Sequence, residues 1–276
     1  MPLQPNPSPA SKVAASTFAE HAFNLLHADI VKAKLRPGEK MHVERLRETY
    51  GVGATPLREA LSKLSSLDLV TAEGQRGFRV APVSIANLLD ITKTRAWIES
   101  ITLRAAIAAG DRRWEAEILA AAHRLRGCPK SEGQSLSDDW YRENRTFHDA
   151  LVSACHSPQI MAFRVQLYDL SDRYRRLSVR NGLAGRDFDA EHQLIMDAVL
   201  KRDADAAVAH TVDHFVETTR VILSGELENE REVDHVIEAL RADIGAGAGA
   251  PVASSKAPIS IGRKVRKDNK SRRSKK

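Results

Sequence analysis

The stretch Met41–Pro82, MHVERLRETYGVGATPLREALSKLSSLDLVTAEGQRGFRVAP, decides how the rest of the chain is read. Gly51-Val52-Gly53 marks a tight turn, because glycine accepts the positive φ that other residues resist. Thr55 is placed to cap the helix that follows, and Pro56 to take its first position, where a missing N–H is no loss. Leu57, Ala60, Leu61 and Leu64 recur at helical spacing, which leaves Arg58, Glu59, Ser62 and Lys63 on or near the open face. A second helix presented in this way can enter a DNA major groove. Beyond it, Leu69–Thr71 and Phe78–Val80 are β-prone pieces joined through the glycine-rich Glu73–Gly77, which predicts a two-stranded wing with Arg76 at its tip.

Working outward, residues 1–14 are rich in Pro, Ser and Ala and are expected to be disordered. The apolar stripe Phe18, Ala22, Leu25, Leu26 and Ile30 predicts a helix to about Ala33 that packs behind the reading helix. Downstream, Ser84 reads as the cap of a second domain without a convincing strand. Helices are expected near 84–109, 111–126, 137–155, 157–181, 187–202, 204–225 and 228–243, with breaks at Gly110, Gly127–Pro129, Ser157-Pro158 and Gly182–Gly185. The fold class is therefore mainly α: a winged helix-turn-helix over 15–83, an antiparallel all-α bundle of six or seven helices over 84–245, and a flexible, disordered basic tail over 246–276.

At 276 residues the chain is long enough for two domains with proper cores. No apolar run approaches a membrane span, and the N-terminus lacks the layout of a secretion signal, so a cytoplasmic protein is expected. Cys128 and Cys155 are read as small hydrophobes rather than a disulfide or a reactive pair. The net charge of +6 is unevenly placed: residues 256–276 carry +9, residues 1–84 carry +3 and residues 85–255 carry −6. Of the two basic regions, only the first has a fold suited to reading bases. The tail's charge fits either salt-sensitive phosphate attraction or simple solubility.

The pattern TPLREAL, then LDLV, then GQRGFRVAPVS resembles the winged helix-turn-helix of the GntR family of bacterial transcription regulators. LRPGEK, ahead of it, is similar to that family's habitual turn. A helical domain in second place resembles the effector domain called FCD of the FadR-type branch. Within that branch WEAEILAAAHRL and DW…FHDALVSAC look most like regulators of γ-aminobutyrate and glutarate catabolism.

Asn144 and His148 lie one turn apart on one helix face, while His192 and His214 belong to two further helices. Spacing alone cannot bring these helices together, and a lone histidine on a half-apolar helix is commonly a core residue. The resemblance supplies the grouping: Asn144, His148, His192 and His214 around a divalent transition metal, Zn²⁺ or Ni²⁺ by donor type. The branch usually has Asp where Asn144 stands, and a neutral amide is a poorer ligand. Arg95 matches the branch's arginine on the first bundle helix, whose fork can hold the carboxylate of a small effector. Its competing role is a salt bridge to Glu99. Arg173 and Arg176, with Arg175 between, are candidates for a second clamp that would favour a dicarboxylate, or else a solvated helix face.

For DNA, the resemblance implies that Arg58 reaches a guanine edge, with Thr55, Lys63, Arg76 and Gly77 also on the DNA side and Arg45 and Arg47 near phosphates. Ala54 and Glu44 stand where arginines are common, so the operator should depart from the commonest family sequence. Double-stranded DNA with a palindromic site and a homodimer are the expected partners. The leading expectation is a ligand-responsive regulator, a repressor released by a small carboxylate. Two alternatives are a constitutive DNA-binding dimer with a structural metal, and a metal hydrolase with Glu191 as base. The second is disfavoured because Glu191 and His192 point about 100° apart on a helix.

Overall fold

The computed structural model describes residues 9–132, 135–178 and 186–247. Helix α1 (Pro9–Val31) places Ala22, Leu26 and Ile30 in a core with Leu46, Val52, Leu57, Leu61, Leu64 and Val80. It starts earlier than the apolar stripe implied, so 9–14 are helical rather than disordered; residues 1–8 lie outside the described residues. Phe18, expected in the stripe, is exposed.

Strand β1 (Lys40–Met41) leads into α2 (Val43–Tyr50), which ends at Gly51 with φ of 65°. The left-handed conformation there is the one the turn needed from a glycine. Helix α3 (Ala54–Ser65) buries Leu57, Ala60, Leu61 and Leu64, as the spacing predicted. Its N-cap is Gly53, not Thr55, and no side chain caps it. Thr55 and Pro56 both sit inside the first turn, where backbone N–H groups lack helical partners anyway, so a proline is tolerated there without being the first residue.

Strands β2 (Val70–Ala72) and β3 (Phe78–Val80) pair antiparallel, and β1 adds to the other edge of β3 through Lys40 opposite Arg79. The wing is thus part of a three-stranded sheet, because β1 is too short to show a period in sequence. Arg79 closes its base: Nε donates to Glu73 at 2.8 Å and Nη1 to the Gly38 carbonyl at 2.6 Å.

The second domain begins where Ser84 Oγ accepts from the Asn87 N–H at 3.1 Å, the cap read from sequence, and α4 (Ile85–Ala109) runs through its centre. Helix α5 (Arg112–Gly127) follows Gly110, where an added Cβ would stand 2.1 Å from the Trp114 ring. A small hairpin of β4 (Ser131–Glu132) and β5 (Ser135–Leu136) corrects the strand-free expectation. Then come α6 (Asp138–Val152), α7 (Pro158–Ser178), α8 (Phe188–Leu200), α9 (Ala204–Glu226) and α10 (Glu230–Ala246). Ser137, Asp187 and Asp203 cap α6, α8 and α9, each accepting from a backbone N–H three residues on. Helix α10 takes in Ala246, where the linker and basic tail (246–276) were expected to begin; the rest of that stretch from 248 lies outside the described residues.

Helix α7 joins the two domains. Leu170 packs against both the head's core and a bundle core, Asp169 meets His27 of α1 at 2.9 Å, and Arg173 donates to the Ala81 carbonyl behind the wing. Lys32, just past the end of α1, also reaches Asp138 at 2.6 Å. No described helix is long and apolar enough to cross a membrane.

Candidate functional site

Helices α6, α8 and α9 bring His148, His192 and His214 together in the bundle interior, with one ligand atom of each within 4.8 Å of the others. Ring centroids lie 5.3 Å apart for His148 and His192, 5.2 Å for His148 and His214, and 4.8 Å for His192 and His214. All three are buried, and Asn144 beside them is fully buried. Asn144 Nδ2 donates to Tyr168 Oη at 3.1 Å, which leaves the amide oxygen Oδ1 as the atom open to accept or to ligate. That Oδ1, both nitrogens of His148 and both of His192 have no hydrogen-bond partner among the described residues. Buried polar atoms left this way cost free energy unless something pairs with them.

Burial, followed by neighbouring positive groups, holds the His148 and His214 imidazoles well below their ordinary pKa. Burial likewise lowers His192 to about 4. All three are therefore neutral near pH 7, the form that offers a lone pair to a metal. Four convergent neutral N and O donors in a dry interior fit a borderline divalent ion such as Zn²⁺ or Ni²⁺.

Two supports behind the site were not read from the sequence in these roles. Glu191 accepts from His214 Nδ1 at 2.6 Å, which puts the proton on Nδ1 and leaves Nε2 as the donor. Arg186 holds that carboxylate from the other side, with Nε 2.7 Å from Oε1 and Nη2 2.6 Å from Oε2. Glu191 thus reaches the triad through His214 despite pointing about 100° away from His192, and with Arg186 on its other side it is engaged rather than available as a base. Beneath His148, Arg164 pairs with Glu99 through Nε at 2.8 Å and Nη2 at 3.0 Å, and also donates to the His148 carbonyl at 2.8 Å. Arg164 and Glu99 are each 1 % exposed, so this pair ties α4, α6 and α7 together below the triad.

Because Arg164 takes Glu99, the expected alternative partner of Arg95 is occupied. Arg95 is itself buried, with its guanidinium 3.8 Å over the Phe215 ring and 4.8 Å from the Tyr168 ring. Phe215 in turn lies 6.2 Å from His148 and 5.8 Å from His214, so Arg95 reaches the triad's surroundings across that ring. Its Nη1 donates to Ser171 Oγ at 3.1 Å, Nε is unpartnered, and no ion pair forms among the described residues. Burial lowers it to about 10, still charged at neutral pH.

The other two arginines expected at the effector are elsewhere. Arg173 points to the Ala81 carbonyl, and Arg176 binds Asp172 at 3.0 Å and Asp138 at 2.6 Å while lying over Tyr141. Arg175, between them, is the one turned inward. Its guanidinium lies 5.2 Å from the Tyr168 ring with Nε unpartnered, and it lines a narrow cavity with Ser178, Arg186, Phe188, His214 and Thr218. Residues 173, 175 and 176 differ by about 100° per step around α7, so only packing decides which one faces in.

On the head, Thr55, Arg58 and Lys63 of α3 are exposed, and so is Arg76, in a single 3-10 turn at the wing's tip. Gly77 follows with φ of 93°, a conformation that favours glycine. Lys63 Nζ lies 4.4 Å over the Phe23 ring, turned toward α1. Arg45 pairs with Glu39, and Arg47 pairs with Glu44 at 2.7 Å, both on the exposed surface.

Comparisons with known proteins agree with this layout. Residues 18–80 match the family "Bacterial regulatory proteins, gntR family", and residues 90–217 match the FCD domain. The chain is 38% identical over 192 residues to the HTH-type transcriptional repressor GlaR of Escherichia coli, covering 67% of this chain and 86% of that protein. It is 36% identical over 201 residues to an uncharacterized HTH-type transcriptional regulator, BphR, of Paraburkholderia xenovorans, covering 72% of this chain and 82% of that one. The solved structure of E. coli McbR/YncC superposes with a TM-score of 0.62 at 19% identity, over 75% of this chain and 97% of that chain. These relatives are named as regulators, not enzymes. The chain belongs to the gntR family of bacterial transcriptional regulators, in the branch that joins a winged helix-turn-helix to an FCD domain.

Proposed function

We propose that this regulator is a repressor whose bundle senses a small carboxylate, or a dicarboxylate, through a divalent metal held by His148, His192, His214 and Asn144. The observation that carries this reading is a buried, unpaired Arg95 guanidinium beside convergent donors with no partner. A buried charge without a counter-charge is costly, and a carboxylate bound there removes that cost. A metal held there would supply Lewis acidity toward a carboxylate. Arg95 would offer that carboxylate a buried positive charge, while Phe215 and Tyr168, packed on the guanidinium, keep water from it. Arg175 and Ser178 share a narrow cavity with His214 and are assigned to whatever the effector carries at its other end.

Arg58 and Arg76, both exposed, are the side chains assigned to base and phosphate contact on a palindromic site read by two copies. Exposed Ile101 and Phe163 on neighbouring helices α4 and α7 support a second copy docking on that face. Calorimetry of the metal-loaded protein against a panel of carboxylates, with Arg95→Ala alongside, tests the proposal. Binding of one carboxylate that Arg95→Ala abolishes is the expected result. A metal-loaded protein that binds none of them while still protecting DNA would make the metal structural.

A further inference from the structure

Between the reading head and the bundle lies a cavity of about 920 Å³, whose lining includes none of the triad residues. Strand β2 supplies Val70 and Thr71 on one side, and α4 and α7 supply Ile91, Ile98, Leu167 and Leu170 on the other. Arg173, also in the lining, is 2 % exposed. Its Nη2 donates to the Ala81 carbonyl, its Nε has no partner, and no carboxylate pairs with it among the described residues. Burial lowers its pKa to about 10, so it keeps its charge at neutral pH. A buried cation that meets only a backbone carbonyl is costly, and an anion beside it removes part of that cost. Tyr174 Oη donates to Asn87 Oδ1 at 2.8 Å, which leaves Asn87 Nδ2 as a second donor in the lining. The lining's carboxylates, Asp68 and Asp90, are exposed, and Asp90 lies 3.8 Å from Lys93. They leave Arg173 unpaired yet repel a second negative charge on an incoming molecule.

We infer that this cavity is a second ligand site, for a molecule with a single carboxylate on an apolar body: the unpaired Arg173 takes the carboxylate, Asn87 assists it, and Ile91, Ile98, Leu167 and Leu170 cover the body. Such a molecule touches both β2 and the bundle, so its binding resists separation of the two domains. The site uses neither the histidines nor a metal, so it stands or falls apart from the proposed function. Exposed Phe163 is also in the lining, which makes the cavity continuous with the face assigned to a second copy. A second copy is therefore the competing occupant.

The experiment is calorimetry of the full chain, once with EDTA and once with Zn²⁺, against phenylpropionate. Phenylpropionamide lacks the charge, acetate lacks the body, and phenylsuccinate adds a second carboxylate to the same skeleton. The expected result is that phenylpropionate binds about tenfold or more tighter than each of the other three, as a charge-assisted contact to a buried arginine allows. Its affinity should change less than about threefold between EDTA and Zn²⁺. Arg173→Gln should weaken it about tenfold or more. If that variant fails to fold, Thr94→Phe decides, since it fills the cavity from α4, leaves Arg173 in place and should weaken binding equally. Binding that appears only with Zn²⁺ would move the molecule to the triad and overturn the inference. Equal affinity for any of the other three would overturn it as well. So would no binding of any of the four, and a dimer that then survives dilution would give the cavity to the second copy.

Discussion

His27 Nε2 on α1 lies 2.9 Å from Asp169 Oδ2 on α7, and the residue before Asp169 is Tyr168, whose hydroxyl accepts from Asn144 beside the histidine triad. Arg145, next to Asn144, donates to the other Asp169 oxygen at 2.5 Å. On α6 and α7 alike, then, one residue faces the pocket and its neighbour faces the reading head. A shift of Asn144 or Tyr168, if the proposed ligand produced one, would be carried to α1, which packs directly on the reading helix α3.

Asp169→Ala should therefore leave operator affinity within about threefold of wild type but reduce the response to effector. Titrating the effector against a preformed DNA complex checks this. An undiminished response would place the coupling elsewhere, with the Lys32–Asp138–Arg176 contact next in line.

The Arg164–Glu99 pair should behave as a buried ion pair does when one partner is lost. Glu99→Ala is expected to cost about 3 kcal/mol in urea unfolding, the low end for a broken buried pair, because Arg164 keeps only the half-exposed Asp149 as counter-charge. Replacing both, as Glu99→Leu with Arg164→Met, should recover most of that loss.

Acid should loosen the junction between the domains. Hydrogen bonds from Lys32 and then Arg176 hold the Asp138 carboxyl down to about 2. A folded-state value below the unfolded one near 4 means the contact's stabilisation is complete above about pH 4 and is lost as pH falls toward 2. Asp138 is about half exposed, so solvent screening limits the contribution to ~0–1 kcal/mol. Asp138→Asn should remove this component of the pH dependence, as measured by unfolding at pH 2 to 6.

Arg58→Ala should lower affinity for the operator by ~1–3 kcal/mol while changing binding to random DNA far less, if Arg58 reads a base. Arg76→Ala should weaken both alike and reduce the salt slope by about 1, as a phosphate contact does. Fluorescence anisotropy over a salt series separates the two.

The reading head was legible because its signals are local. Leu57, Ala60, Leu61 and Leu64 fall at helical spacing, and Gly51 and Gly77 stand where φ is positive. What failed there was finer than spacing: Thr55 against Gly53 as cap, and a β1 only two residues long. The triad was reachable only through a family resemblance, since three helices far apart in sequence had to meet. Which arginine of α7 turns inward could not be singled out, for a related reason. Arg173, Arg175 and Arg176 are equivalent in composition, and the packing of Leu170 and Tyr174 sets which one turns in. Arg95 with Glu99 looked like a pair at i,i+4, but Arg164, 65 residues from Glu99, takes that carboxylate.

The most direct test of the account is the affinity of the full chain for DNA from upstream of its own gene, measured by anisotropy with Zn²⁺ or Ni²⁺ present and a panel of small carboxylates added one at a time. The account predicts that at least one of them weakens the wild-type complex tenfold or more and has no such effect on His192→Ala. A wild-type complex that holds equally tightly through the whole panel would contradict it.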